Sequence, residues 1–154
     1  MMLQADPSSQ ALLNPEGPVS KPRFQLWSWE LITRNEGELY LRRLRIVSCP
    51  WFGIYIHWFE ASDDDSLHDH PWPFLSFILW GGYWEHTLGP DGSLIKCWHP
   101  AGAVRVCPAR WLHRVEIDPE RRPVTLVIRG TEVRRWGFQT RAGWIPWPEY
   151  KARR

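Results

Sequence analysis

His68 and His70 stand one residue apart in the run Leu67-His68-Asp69-His70-Pro71-Trp72. In an extended segment residues i and i+2 point to one face. Both imidazoles can therefore aim at one point, as two ligands of one metal ion must, while Asp69 points the other way and reads as a loop hydrogen-bonder. A third histidine, His113, lies far along the chain, just after the turn Pro108-Ala109-Arg110-Trp111-Leu112. The three are expected to meet inside a β-barrel. Glu85 lies on a candidate strand, in phase with Tyr83. It reads in three ways: a partner that orients a ligand histidine, a general base, or an exposed strand carboxylate. His57, on an aromatic strand, reads as a satisfied core residue. His86 and His99 read as surface groups near hairpin ends, and Asp63-Asp64-Asp65 as a solvated acidic loop.

Short strands must position these residues. Pro71 and Pro73 forbid helix around Trp72, and Phe74–Trp80 is a buried-strand candidate that ends at Gly81-Gly82. If no bulge intervenes, Trp72, Phe74 and Ile78 share parity with the histidines and line an apolar cavity. Further strands are expected over Phe24–Trp29, Tyr40–Val47, Trp51–Phe59, Tyr83–His86, Ser93–His99, Val104–Cys107 and Leu112–Ile117. Gly89-Pro90-Asp91-Gly92 is the clearest hairpin turn. Val124–Arg129 and Val133–Phe138 read as a last hairpin about Gly130-Thr131, and Arg141–Tyr150 as irregular. The Trp-rich segments 136–138 and 144–147 read either as a lid or as an outer layer over an edge strand, with the second preferred. Short strands with frequent turns and no amphipathic helix indicate an all-β barrel or sandwich.

The bulk of the sequence sets outer bounds. A chain of 154 residues is one domain's worth. Residues 1–22 are polar and proline-bearing, and read as a flexible tail ahead of a domain over 23–150. A net charge of +2 gives no argument for nucleic acid. Twelve tryptophans imply a Trp-heavy core, an aromatic-lined pocket, or both. Three cysteines without C-x-x-C spacing argue for a reducing compartment, hence a cytoplasmic location. No apolar run reaches transmembrane length, and no secretory signal or nucleotide-binding motif is seen.

With these residues in place, the chain resembles the cupins, small jelly-roll β-barrels. The family's first motif, G-x5-H-x-H-x3,4-E-x6-G, meets His68 and His70 and closes on Gly81 or Gly82. Its second, G-x5-P-x-G-x2-H-x3-N, meets Gly102, Pro108 and His113 without adjustment. The resemblance covers roughly residues 40–130. Three positions depart from it. The motif glutamate falls on Phe74 or Leu75, the inner glycine is Arg110, and the closing asparagine is Ile117. The run His68–Trp72, Gly81-Gly82-Tyr83 and Trp136-Gly137-Phe138 is also similar to small single-domain cupins of bacteria and phages for which no activity is established.

The resemblance implies an all-β, single-domain cupin barrel holding one divalent transition metal through His68, His70 and His113. Fe(II) is favoured over Zn, Ni or Mn, because cupins similar to thiol dioxygenases use three histidines with Fe(II). Three protein ligands leave positions for a substrate, dioxygen or an activated water. Three neutral ligands leave the ion's charge uncompensated, which favours a small anionic substrate, with Arg105 and Arg110 assisting. The expected activity is a dioxygenase-type oxidation. The alternatives are a sugar-type isomerase or epimerase with a base such as Glu85, and a non-enzymatic small-molecule-binding or assembly module. The expected partners are a small-molecule substrate and a second copy in a homodimer, with no nucleic acid and no membrane.

Overall fold

Aromatic and β-branched residues alternate with polar ones in short runs punctuated by glycine and proline, and such runs pair into sheets. The computed structural model describes residues 24–34 and 37–153. The proposed tail 1–22, the start of the domain at 23, and Asn35 and Glu36 of an expected turn lie outside the described residues. Eleven strands and one short helix follow in order: β1 (Gln25–Thr33), β2 (Leu39–Ser48), β3 (Gly53–Phe59), β4 (Phe74–Trp80), β5 (Gly82–Leu88), β6 (Leu94–Pro100), β7 (Val104–Cys107), β8 (His113–Glu116), β9 (Val124–Arg129), β10 (Gly137–Thr140), β11 (Gly143–Pro146) and α1 (Trp147–Ala152).

A six-stranded sheet runs β1-β2-β3-β9-β4-β7, and a smaller one runs β6-β5-β8. The pairings are antiparallel. The core fills the space between the two sheets. Leu41, Phe59 and Ile78 come from the large one, and Tyr83 and Val115 from the small one, with Ile117 just beyond it. Gly81 and Gly82 make the sharp turn that carries the chain from one sheet to the other. Both have positive φ, and a side chain at Gly82 would strike the Trp98 ring.

The C-terminal region differs from the sequence expectation. Val133–Phe138 does not form a hairpin with Val124–Arg129, because β9 lies inside the large sheet with β3 and β4 on its two edges. The chain instead returns to the histidine loop, where Val133 N–H donates to Pro71 O at 2.8 Å. There β10 pairs with β11, and a bridge between Phe138 and His68 attaches this ribbon to the small sheet. The segment expected to be irregular is thus β11 plus α1. Phe138, Ile145 and Tyr150 give it a small core of its own, with Trp136 and Trp147 packed against them. The tryptophans do not build the main core, since the buried apolar side chains include none of the twelve. Cys49, Cys97 and Cys107 are all free thiols. No helix among the described residues is long and apolar enough to cross a membrane.

Candidate metal centre

The backbone brings the histidines together before their side chains do. His68 and His113 form an isolated antiparallel bridge. Each N–H donates to the other's carbonyl, at 2.8 and 2.9 Å. His70 is fixed by its own N–H, which donates to Ala109 O at 3.1 Å, in the turn before His113. The i, i+2 alternation then turns His68 and His70 to one side and Asp69 to the other. The three ring centroids form a triangle with 5.1 Å sides. One ligand atom from each ring lies within 4.8 Å of the other two.

The donor set fits a single metal ion. Nε2 of His70 and Nε2 of His113 are 2.9 Å apart. Two nitrogens each about 2.0–2.1 Å from one ion, at right angles, have nearly that separation. Burial, reinforced by His68 and His113, holds His70 well below the usual histidine range. Burial likewise lowers His68, with Asp63 opposing. Both are therefore neutral near pH 7, the state in which imidazole binds metal. Phe74, one of the two positions on which the cupin-motif glutamate falls, packs against the cluster, with its ring 4.8 Å from that of His70 and 6.0 Å from that of His113. The cluster thus meets an apolar ring there rather than a carboxylate.

Glu85 stands behind His113. It is 2% exposed. Its Oε1 accepts from His113 Nδ1 at 2.9 Å and Trp111 Nε1 at 3.1 Å, and its Oε2 pairs with His99 Nε2 at 3.0 Å and accepts from Arg105. Burial alone would raise its pKa, but the hydrogen bond and field of His113, then Arg105 and Trp111, hold it down at about 2. An ionised carboxylate here accepts a hydrogen bond from His113 Nδ1–H, which keeps the proton on Nδ1 and leaves the Nε2 lone pair facing the cluster, the arrangement that orients metal-bound histidines. Glu85 is thus buried rather than exposed, bonded to His113, and not among the residues that line the cavity.

A cavity of about 360 Å³ opens beside the histidines, within the range of small-molecule sites. Trp72 and Phe74 line it as expected, and Trp136 reaches it from the C-terminal ribbon. The other expected wall residues lie elsewhere. Ile78 has the right parity but sits deeper, 1% exposed in the core cluster, and Ser76 takes the wall position above it. Arg105 turns to Glu85 and links the two sheets. Arg110 is exposed on the turn. His57 is on the wall, where it accepts from Arg43 Nε at 2.9 Å. His86 is buried beside Glu116 at 2.7 Å, away from the cavity.

Asp63, Arg43 and Thr125 are among the wall residues that escaped the sequence reading. Asp63 belongs to a run expected at the surface, yet it lines the cavity, accepting from Tyr40 Oη and from Val115 N–H at 2.5 Å, with Oδ2 4.0 Å from His68 Nδ1. Asp65, two residues on, is 99% exposed. Arg43 and Thr125 also face the cavity. The aromatic Trp51–Phe59 run and the alternation in Tyr40–Val47 are the available signals for the wall strands. The alignment of these strands is not legible locally.

No family model and no curated protein sequence matches the chain. Solved structures do match in fold. A cupin-2 domain protein from Rhodospirillum rubrum aligns with a TM-score of 0.57 at 12% identity, over 79% of this chain and 82% of that one. The Fe(II) form of HppE aligns at 0.54 and 12%, over 70% and 64%. The DMSP lyase DddQ from Ruegeria pomeroyi DSS-3 aligns at 0.54 and 15%, over 70% and 57%. This chain thus spans under two thirds of the length of the last two. At such identities the likeness is one of fold, and the fold is the cupin barrel.

Proposed function

We propose that the protein is a metal-dependent cupin enzyme in which His68, His70 and His113 hold one Fe(II) ion for the dioxygen-dependent oxidation of a small anionic substrate. The observation that carries this reading is the convergence of three imidazoles with the apolar ring of Phe74 packed beside them. Fe(II) bound by neutral ligands keeps its full positive charge and open positions for an anion and dioxygen. HppE, which shares the fold, has been crystallised with Fe(II), which supports iron over Zn, Ni or Mn. The protein's own contribution is positional. Glu85 sets the His113 tautomer, Asp63 lies beside His68, and Trp72, Phe74 and Trp136 keep water from the cavity side of the cluster. An isomerase reading needs a base on the cavity wall. Glu85 is not there, and His57 or Asp63 would have to serve.

The test is oxygen uptake after anaerobic loading of the metal-free protein with one equivalent of Fe(II), across a panel of short organic acids. Acid-dependent uptake that disappears in His70→Ala and with Zn(II) is expected. Equal turnover without oxygen, or with Zn(II), would contradict the proposal.

A further inference from the structure

The large sheet carries an arrangement of donors that the metal centre does not use. Cross-strand pairing sets Arg43 beside His57 across β2 and β3, and His57 beside Thr125 across β3 and β9. The three form one rung across the sheet, and all three line the cavity. Of the histidine cluster, His113 opens β8 of the small sheet, and His68 and His70 lie on the loop between β3 and β4.

Each member of the rung retains donor capacity. Arg43 Nη1 donates to Glu30 at 3.2 Å and Nε to His57, while Nη2 makes no hydrogen bond among the described residues. Because His57 accepts at Nε2, its ring proton lies on Nδ1, which likewise has no partner there. The Thr125 hydroxyl is buried without a hydrogen-bond partner, and the residue is only 1% exposed. Buried polar atoms are ordinarily satisfied, so an unpaired hydroxyl on a cavity wall marks a place where a ligand atom completes the set. At the rung itself the charge favours an anion: Arg43 and Arg45 share the single carboxylate of Glu30, an excess of one formal positive charge. Asp63, on the cavity wall beside His68, carries a formal negative charge of its own and accepts from Tyr40 and Val115 N–H.

We infer that Arg43, His57 and Thr125 form a carboxylate-binding pole on the large-sheet wall, and that the substrate is a short organic acid. Its apolar body would lie along Leu41, Phe59 and Val127, and its reacting end would face the histidines. The assignment rests on reading the cavity as the substrate site, but it does not require the metal. Two groups that can only donate, Arg43 Nη2 and His57 Nδ1–H, beside a hydroxyl free to donate, suit a carboxylate better than an amide or alcohol, which would bring donors of their own.

The test uses the full chain freed of metal by a chelator, with pentanoate and its uncharged counterpart pentanamide as probes, followed by calorimetry and tryptophan fluorescence. Pentanoate should bind more tightly than pentanamide. Arg43→Gln should weaken pentanoate by about tenfold or more and leave pentanamide unchanged. Thr125→Val keeps the shape and removes the hydroxyl. It should weaken pentanoate roughly three- to tenfold while raising the Tm of the empty protein, because an unpaired buried hydroxyl is lost. A merely structural hydroxyl would give a lower Tm and unchanged affinity, which overturns the assignment, as does equal binding of the two probes or no binding of either. Pentanoate binding only when metal is loaded would also overturn it, by placing the carboxylate on the ion and leaving the metal reading intact. Loss of metal binding with the pentanoate preference retained would sink the metal reading and spare this one.

Discussion

Two buried carboxylates flank the histidine cluster, and they are dressed almost alike. Glu85 and Asp69 are each 2% exposed. Each accepts from one arginine and one indole: Arg105 and Trp111 for Glu85, Arg134 and Trp144 for Asp69. They differ in the remaining partners. Glu85 holds the rings of His113 and His99, whereas Asp69 holds a backbone, accepting from Gly137 N–H at 2.8 Å where β10 begins. One carboxylate therefore acts on a histidine of the cluster and the other on the fold that frames it. Similar surroundings do not imply a similar role, because what matters is the group that each acid immobilises.

That distinction yields predictions of decreasing size. Asp69→Ala strands Arg134 and two N–H donors, and should destabilise the protein by about 3–5 kcal/mol. Limited proteolysis should then cut first within the ribbon 137–152. If Asp69→Ala cost as little as a surface change, the fold-anchoring half of the comparison would fail.

Glu85 should show its effect through pH. A pKa of about 2 in the folded protein lies below the roughly 4.3 of a free glutamate. Its stabilisation, on the order of 3 kcal/mol, is full above about pH 5 and is lost as the pH falls toward 2. Urea denaturation of the metal-free protein should show wild type and Glu85→Gln well separated at pH 7 and converging as the pH approaches 2. At neutral pH the same substitution should weaken metal binding about 10–100-fold, read by competition with a chelator. Asp65→Asn provides the control. Asp65 also pairs with an arginine, Arg114, but is 99% exposed, and its loss should leave both Tm and metal affinity unchanged.

How much of this was legible in the sequence follows from how local each signal is. Spacing of two residues placed His68 and His70 on one side and Asp69 on the other, and the Gly102, Pro108, His113 spacing pointed to the third histidine of the cluster. Glu85 was visible through its phase with buried Tyr83, although only the fold shows that His113 is its partner. The rung of Arg43, His57 and Thr125 was not legible, because it depends on the register of three strands brought together across more than eighty residues. Ile78 shows the limit of parity, which sets the direction of a side chain but not its depth. Asp63 shows the limit of composition. One member of an acidic run is buried by Tyr40 and Val115, and nothing in Asp63-Asp64-Asp65 itself marks it out. The C-terminal hairpin was misread for the same reason: local pattern proposed a partner for β9, but β3 and β4 already occupied both its edges.

The measurement that tests the central claim most directly is the metal content of the purified protein after reconstitution with Fe(II), wild type beside His113→Ala, with circular dichroism to confirm that both fold. The account predicts about one equivalent of metal in the wild type and almost none in the variant. No metal in either protein, or equal metal in both, would contradict it.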